Sequence, residues 1–396
     1  MYILVINSGS SSIKYQLILM PEAKVVSTGM VERIGFKDAQ IHYKTNQNNV
    51  NLTQPVANHK VGLKVIAKLL LDNKTGVIKD THAIYAVGHR VVHGGSTFAK
   101  TTIITKKVKE KIKALFPLAP LHNPPNLEGI LVAEQLFPKA KQIAVFDTAF
   151  HQTIPQRAYQ YAIPTKFLDK NHIRLYGFHG TSHKYVSKKA IAYLGLKQSK
   201  IISIHLGNGC SMTAIKNGKS IDHSLGFGPM NGLIMGTRSG DIDQSVIFYL
   251  VDKMGYTLAE VNTLLQKQSG MLGLTGFSDM RDIENEAAKG NRTCQLALDM
   301  NAYRIKKYIG AYIAALNGVD ALIFTAGIGE HSKKIRQMVC DNMEGLGIVL
   351  DKNKNNNYST GLADIQSPES KVKILIIPTN EEIEIAQQTY KLVSQE

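Results

Sequence analysis

Two arginines in this sequence stand among glycines. Arg90 lies in Gly88-His89-Arg90-Val91-Val92-His93-Gly94-Gly95, and Arg238 lies in Met235-Gly236-Thr237-Arg238-Ser239-Gly240-Asp241. Flanking glycines suggest exposed backbone that a ligand can approach closely. A guanidinium in such a place suits bidentate recognition of a carboxylate or phosphate. For either arginine alone a surface salt bridge is the plainer reading. The matching acids are Asp147, at the carboxyl end of a short apolar strand, and Glu381 and Glu382 behind Pro378-Thr379-Asn380. One or two carboxylates together with phosphate oxygens would hold a magnesium ion. Glu381 and Glu382 also fit the first turn of a helix capped by Asn380, where the helix dipole favours acids. The two readings are compatible.

Three turns of small residues follow apolar strands: Asn7 to Ser12, Gly207 to Ser211, and Ala326 to Glu330. Each could aim backbone N–H groups at phosphate oxygens. Any one alone reads as an ordinary turn, but three in a repeated context ask for more. None fits the P-loop or dinucleotide fingerprints, so a nucleotide site here would belong to another class. Six histidines, His89, His93, His122, His179, His183 and His205, lie near Gly, Pro or strand ends. His179 and His183 have the i, i+4 spacing of a zinc helix but lack its glutamate. The alternative for a histidine here is a hydrogen bond to a phosphate oxygen. His89, His93, His183 and His205 read more plainly as satisfied structural histidines.

The elements that must position these residues repeat. Tyr2 to Ile6 reads as a strand, Ile13 to Leu19 as a second and Lys24 to Arg33 as a third, with the small-residue turn after the first. Ile201 to Leu206, Met212 to Lys216 and Ser220 to His223 restate that order about 200 residues later, which indicates a duplicated domain. Further strands are expected at Tyr85 to Val87, Ile143 to Phe146, Ala321 to Thr325 and Val372 to Ile377. Helices are expected from about Gly62 to Leu71, behind a Thr105 cap, from Asn123 with Leu127, Ile130 and Leu131 on one face, and behind a Thr257–Glu260 capping box. A long helix marked by Leu296, Met300, Tyr303, Tyr308, Tyr312 and Leu316 should stop at Gly318, and a closing helix should begin at Asn380. Thr45 to His59 reads as a loop or excursion, and Lys352 to Asn357 as a polar loop. Strands alternating with helices in each half argue for α/β architecture with a cleft between two halves, the usual place for a substrate.

Composition narrows the class. The 396 residues allow two domains, and 44% hydrophobic with 20% charged residues is ordinary for a globular protein. The longest apolar stretch, around Ile309 to Phe324, is broken by Asn317, Gly318 and Asp320, so no membrane span is expected. No signal peptide is read at the amino terminus. Cys210, Cys294 and Cys340 form neither a metal pattern nor a disulfide framework, which favours a reducing cytoplasm. The net charge of +16 comes with dispersed lysines and no nucleic-acid motif, so solvated helix faces are preferred to a nucleic-acid partner.

Seven segments resemble the acetate kinase family and occur in family order: Val5 to Lys14, Gly88 to Gly95, Leu118 to Pro124, Tyr176 to His183, His205 to Gly209, Met235 to Asp241, and Pro378 to Glu382. The resemblance implies two duplicated domains of the actin and sugar-kinase type, ribonuclease H-like, in a homodimer. It implies residues 1–147, joined by the closing helix 383–396, as one domain, and 148–382 as the other, carrying the nucleotide site. The implied reaction is MgATP (or its Mn2+ form) plus acetate giving ADP plus acetyl phosphate. Arg90 and Arg238 would clamp the acetate and the moving phosphoryl group, and His179 would stabilise the transition state. Asp147 would order the metal or the arginines, Asn7 would contact the phosphoryl group or the metal, and Glu381 would help hold magnesium. Val92, Leu121, Phe178 and Pro229 would wall the methyl pocket. Lys14, His205, Gly207, Asn208, Gly209, Asp279, Arg281, Gly327, Ile328 and Gly329 would contact ATP. The chain departs from the family pattern at Gly228, Met230 and Asn231, which flank Pro229 and so bear on acyl size.

The chemistry is consistent without the family. A carboxylic acid with a pKa of about 4 is ionised at neutral pH and needs no general base. Its difficulty is meeting an anionic phosphate, which two arginines, a histidine and a magnesium ion would answer. A propionate or other short-chain fatty acid kinase of the same family is the near alternative. A non-enzymatic actin-like scaffold is the distant one, and it would not need a carboxylate clamp.

Overall fold

The computed structural model describes residues 1–395; Glu396, the end of the expected closing helix, lies outside the described residues. The chain falls into two compact units, one formed by Met1–Phe150 with the segment from Asn380, the other by His151–Thr379.

The first unit is built on an eight-stranded sheet. Its strands are β1 (Tyr2–Ser8), β2 (Ser12–Leu19), β3 (Lys24–Glu32), β4 (Ala39–Thr45), β5 (Asn49–Gln54), β6 (Ile84–Val91), β7 (Thr102–Ile103) and β8 (Lys141–Phe146), in the order 5-4-3-2-1-6-8-7. The small-residue turn after β1 folds β2 back antiparallel, and β6 and β8 then run parallel to β1. Side chains alternate across a strand, so each central strand feeds two faces. Leu4, Ile6 and Val87 pack with Leu63, Ile66 and Val132 of the helices His59–Leu71 and Asn123–Leu136. Ala86 and Ile143 meet Val393 of the closing helix Glu381–Val393 on the other face.

The second unit repeats the plan with β9 (Lys200–Leu206), β10 (Cys210–Lys216), β11 (Lys219–His223), β12 (Ala321–Thr325), β13 (Ala363–Asp364) and β14 (Lys373–Ile376), in the order 11-10-9-12-14-13. Here too two antiparallel partners follow the first strand, and β12 and β14 run parallel on its other side. The orders 3-2-1-6-8 and 11-10-9-12-14 correspond strand for strand, which is the duplication expected from sequence.

Several expectations need correction. Part of the stretch Thr45 to His59 forms β5, an edge strand whose residues are mostly exposed and so carry no apolar pattern. Lys352–Asn356 is a short helix capped by Asp351 rather than a loop. Ala326 to Glu330 is not a turn: the helix Ala326–His331 starts directly after β12. Leu131 is exposed, away from the buried Leu127 and Ile130. In the helix Arg292–Leu316 the core face is Leu298, Ile305, Ile309, Tyr312 and Leu316, while Leu296, Met300 and Tyr303 point to solvent. Gly88 does not mark open backbone around Arg90. It lies within β6, and a Cβ there would stand 2.6 Å from Thr389 Oγ1 and 2.9 Å from Ile385 of the closing helix. The glycine is needed for helix-on-sheet packing.

Burial of histidines sets an acid limit on the fold. His89 donates or accepts through Nε2 at 2.8 Å to Gln142 Oε1, and since an amide oxygen only accepts, Nε2 is protonated. Burial pushes its pKa down to about 4, and that of His93 to about 4 as well. The unfolded chain binds these protons near pH 6.5 while the folded one refuses them until about 4. Their stabilising effect is therefore present above pH 6.5 and is lost progressively as pH falls toward 4, on the order of 3 kcal/mol for each. Asp222, raised by burial to about 6, acts oppositely, losing stability as pH rises toward 6. Urea unfolding at neutral and acidic pH should show a steep net loss through the histidine window. His89→Gln should lose measurably less over the same interval, and an equal loss would contradict this assignment.

Candidate functional site

In the first unit the parallel strands β1, β6 and β8 end side by side, and each end carries a polar group. Asn7 lies near the end of β1, Arg90 near the end of β6, and Asp147 follows β8. Carboxyl ends of parallel strands are where α/β sheets bind ligands. The Arg90 guanidinium donates through Nε to Asp147 Oδ2 at 3.0 Å, and its terminal nitrogen NH2 makes a very short contact with the same oxygen. NH1 reaches Asn7 Oδ1 at 3.4 Å, and Glu381 Oε2 lies 3.6 Å from Nε. Burial opposes the charge on Arg90, but Asp147 and Glu381 beside it more than compensate and hold the guanidinium protonated. Burial also raises the Glu381 carboxyl; Arg90 pulls it back, while Asp147 and Glu382 push it further up. Asn380 accepts from the backbone N–H of Ile383, so Glu381 is both a helix-start acid and a member of this cluster.

Neighbouring groups are fixed to the same strand ends. The N–H of Val92 donates to Asn126 Oδ1 at 3.0 Å, and Asn126 Nδ2 donates to the carbonyl of Ser8 at 2.7 Å. The start of the helix Asn123–Leu136 therefore ties β1 to β6 and holds Val92 buried. Lys14 Nζ pairs with Glu382 at 2.7 Å. Leu121 is 51% exposed and is not enclosed by the unit to which it belongs.

The second unit holds the other expected residues in two groups. A cavity of about 640 Å³ is lined by Gly207, Asn208, Asp279, Arg281, Gly327 and Ile328. These lie far apart in sequence, and all were expected at a nucleotide. Apart from its chain neighbours and its own helix backbone, nothing lies within 4 Å of where a Cβ of Gly327 would stand, so the glycine borders open space. Ser278, Met280, Glu284, His331 and Ser332 complete the lining; they carry no motif, so sequence reasoning missed them. Asp279 caps the helix Met280–Ala288 and grips Arg281, whose hydrogen bond holds the Asp279 carboxyl down at about 2. Gly209 and Gly329 are not in this lining, nor is Lys14, which belongs to the first unit.

The second group surrounds His179, which precedes the helix Gly180–Leu194 in the left-handed conformation, φ 54°. Its Nδ1 lies 2.9 Å from Ser211 Oγ, and its ring stacks on His205 with centroids 4.4 Å apart. His205 Nδ1 is 2.9 Å from Ser182 Oγ, and His183 lies between the hydroxyls of Ser203 and Ser211, both at 2.8 Å. Phe178, next to His179 in the chain, is buried. Two further buried histidines, His151 and His223, were missed; His151 carries no local motif, and His223 is only the end of a short strand. Arg238 donates through NH1 to the carbonyl of Pro229 at 2.9 Å, and burial lowers its pKa. Asp241 accepts from the N–H of Gly232 and from the hydroxyl of Tyr308, fixing the loop that carries both Pro229 and Arg238.

Among the described residues no group of three or more His, Cys, Asp or Glu side chains could cage a metal ion. Magnesium bound through phosphates needs fewer protein ligands: it keeps several waters and takes one or two hard oxygen donors. Asn7 Oδ1 and the Glu381 carboxylate are donors of that kind.

Residues 2–387 match the acetokinase family. The acetate kinase of Flavobacterium johnsoniae is 63% identical, covering 99% of this chain and all of that one. The crystal structure of Porphyromonas gingivalis acetate kinase superposes with a TM-score of 0.94 at 45% identity, covering 99% of both chains. A propionate kinase from Francisella tularensis is similar as well, with a TM-score of 0.92 at 43% identity over 98% of both chains.

The Arg90–Asp147 pair, whose carboxylate is wholly buried and whose guanidinium is mostly so, carries a stability consequence. Asp147→Ala would leave the guanidinium with Asn7 and the more distant Glu381, and breaking a largely buried pair in this way costs about 3 kcal/mol. Glu134→Ala, which removes the partner of Lys109 on a more exposed face, should cost less than about 1 kcal/mol. Urea denaturation of the two variants tests the contrast; equal losses would show that Asp147 is not what holds Arg90.

Proposed function

The chain belongs to the acetokinase family, and we propose that it transfers the γ-phosphoryl group of ATP to acetate, reversibly and in line, giving acetyl phosphate and ADP. The observation that carries this reading is the guanidinium of Arg90, fixed by Asp147 and Asn7 at the ends of three parallel strands. Acetate arrives ionised, so no base is required; the barrier is repulsion between two anions. Arg90 and Arg238 bind the carboxylate and the phosphoryl oxygens, using the fork geometry that fits both groups. His179 donates a hydrogen bond to a phosphoryl oxygen whose charge grows in the transition state. Asp147 keeps Arg90 oriented. Asn7 and Glu381 hold magnesium or its waters, and manganese fits the same oxygen donors. When bound, the ion neutralises phosphate charge.

Val92, Phe178, Pro229 and Leu121 face the methyl group, with the first two already buried in their own units. Gly207, Asn208, Gly327 and Ile328, with Asp279 and Arg281, take the nucleotide, supported by the cavity they line. Lys14, His205, Gly209 and Gly329 are assigned to ATP on family resemblance. The relatives' names favour acetate over propionate. A methylene in an apolar pocket discriminates by only about 1–3 kcal/mol, so propionate should be used more weakly rather than refused.

A homodimer is part of the proposal. The helix Ser245–Asp252 buries none of its residues in the unit, and Val246, Phe248 and Tyr249 stand exposed beside Met254 and Leu258. An apolar patch of this kind fits a subunit contact. Three buried free cysteines fit a reducing cytoplasm, and among the described residues no helix is long and apolar enough to cross a membrane.

Trapping acyl phosphate with hydroxylamine tests the activity directly. Acetyl hydroxamate should form with ATP and magnesium, more efficiently from acetate than from propionate or butyrate. Arg90→Ala and Arg238→Ala should each lower kcat by about 10²-fold or more. No product from acetate, or wild-type rates in both folded variants, would overturn the reading. Glu381→Ala should raise the magnesium concentration needed for half-maximal rate. An unchanged magnesium dependence would leave Glu381 as a helix-start acid alone.

A further inference from the structure

We propose that His151 and His223 act as a pair of neutral imidazoles of opposite tautomer that clamp the peptide of Phe178 and thereby position His179. The proposal rests on the phosphotransfer reading for its kinetic consequence, but its geometry stands apart from it.

The chain reverses sharply around Phe178. Gly177 before it has φ 75° and His179 after it has φ 54°, both left-handed. A non-glycine residue there is strained by about 1–2 kcal/mol and persists only where its surroundings over-determine it. Phe178 is buried and lies in no strand or helix, yet both of its backbone polar groups are paired. Its N–H donates to His223 Nε2 at 3.1 Å, and its carbonyl contacts His151 Nε2 at 2.9 Å. A Cβ on Gly177 would stand 2.8 Å from the His151 ring and 2.9 Å from the His223 ring, so the turn is packed directly on the two imidazoles.

These contacts fix the protons. His223 accepts through Nε2, so that nitrogen is bare and Nδ1–H donates to Thr213 Oγ1 at 2.8 Å. His151 faces a carbonyl, so its Nε2 carries the proton, and as a neutral ring it accepts at Nδ1 from Ser220 Oγ at 2.9 Å. The two rings lie 4.1 Å apart, with His183 at 5.4 Å from His223 and 5.9 Å from His151. All three are buried, and a charge on any one would be repelled by charge on the others. His223 is held well below its ordinary pKa by burial and then by His151 and His183. The clamp fixes the backbone of His179 from one side, while Ser211 and the His205 stack orient its ring from the other. A displacement of about 1 Å at a catalytic group can cost about 10²-fold in rate.

The test uses the full chain and hydroxamate trapping. His223→Leu removes the acceptor and should lower kcat by about 10²-fold with the Michaelis constant for ATP unchanged. His223→Gln, which can offer an amide oxygen near the Nε2 position, should restore most of that loss. In the background of His179→Ala, His223→Leu should cause little further fall, because it acts through His179. Full multiplication of the two losses, or no difference between the Leu and Gln variants, would overturn the clamp. Should His223→Leu fail to fold, nitrogen-15 NMR of wild-type histidine rings decides. Nδ1–H at His223 and Nε2–H at His151 are expected at pH 6.5, and an imidazolium or the reversed tautomer at either would overturn it. A wild type that makes no acyl phosphate would instead sink the phosphotransfer reading and leave the tautomer result to judge the clamp.

Discussion

A guanidinium that is to meet a carboxylate must be kept charged, desolvated and aimed. In the proposed reaction that constraint falls on Arg90, and much of the first unit holds this side chain in place. The parallel run of β1, β6 and β8 brings Asn7, Arg90 and Asp147 to one sheet end. Asp147 is wholly buried and carries the countercharge, and the N–H of Asp147 is tied back to the carbonyl of Val91 at 3.0 Å. The closing helix crosses β6 closely enough that Gly88 must lack a side chain, and this crossing delivers Glu381 to within 3.6 Å of Arg90. A site built on strand ends and one helix start is stiffer than one built on loops, which suits a group whose work is electrostatic.

The second unit meets a different demand with the same strand plan. Between β9 and β10 the chain turns through glycines, and after β12 the helix Ala326–His331 starts at once with Gly327 bordering open space. His183 and His223 are the opposite case to Arg90: both are wholly buried, and the charges that act on them are other histidines rather than a carboxylate. His183 and His223 are held well below their usual pKa by burial, so each ring offers one donor and one acceptor. Serines and a threonine pair with those nitrogens, giving His179 a fixed surrounding made of neutral groups.

Much of this was legible in the sequence because it is written in local patterns. The strand–turn–strand repeat at Tyr2 to Arg33 and Ile201 to His223 reports β pairing with short connections, and it matches the sheet orders strand for strand. Caps at Thr105, Thr257 and Asn380 are local hydrogen bonds and were readable for the same reason. The failures were tertiary. Edge strand β5 buries too little to need apolar residues. Gly88 is explained by a helix 300 residues away in sequence rather than by its neighbours. The apolar residues Leu296, Met300 and Tyr303 follow helical spacing but face solvent, so periodicity alone did not tell the buried face from the open one. His151 and His223 matter through a backbone segment between them in the chain, and no motif reports that kind of contact.

The central claim is that positive charge held in place, rather than proton abstraction, overcomes the repulsion between carboxylate and phosphate. Chemical rescue measures it most directly. Arg238→Ala, shown to be folded by circular dichroism, is assayed for acetyl phosphate formation with and without added guanidinium ion, well below denaturing concentrations. The account predicts that guanidinium restores activity to the variant by about tenfold or more while leaving the wild type unaffected, because a free cation can occupy the vacated position. A folded variant that guanidinium does not rescue, or one that needs no rescue because it already turns over at the wild-type rate, would contradict the claim.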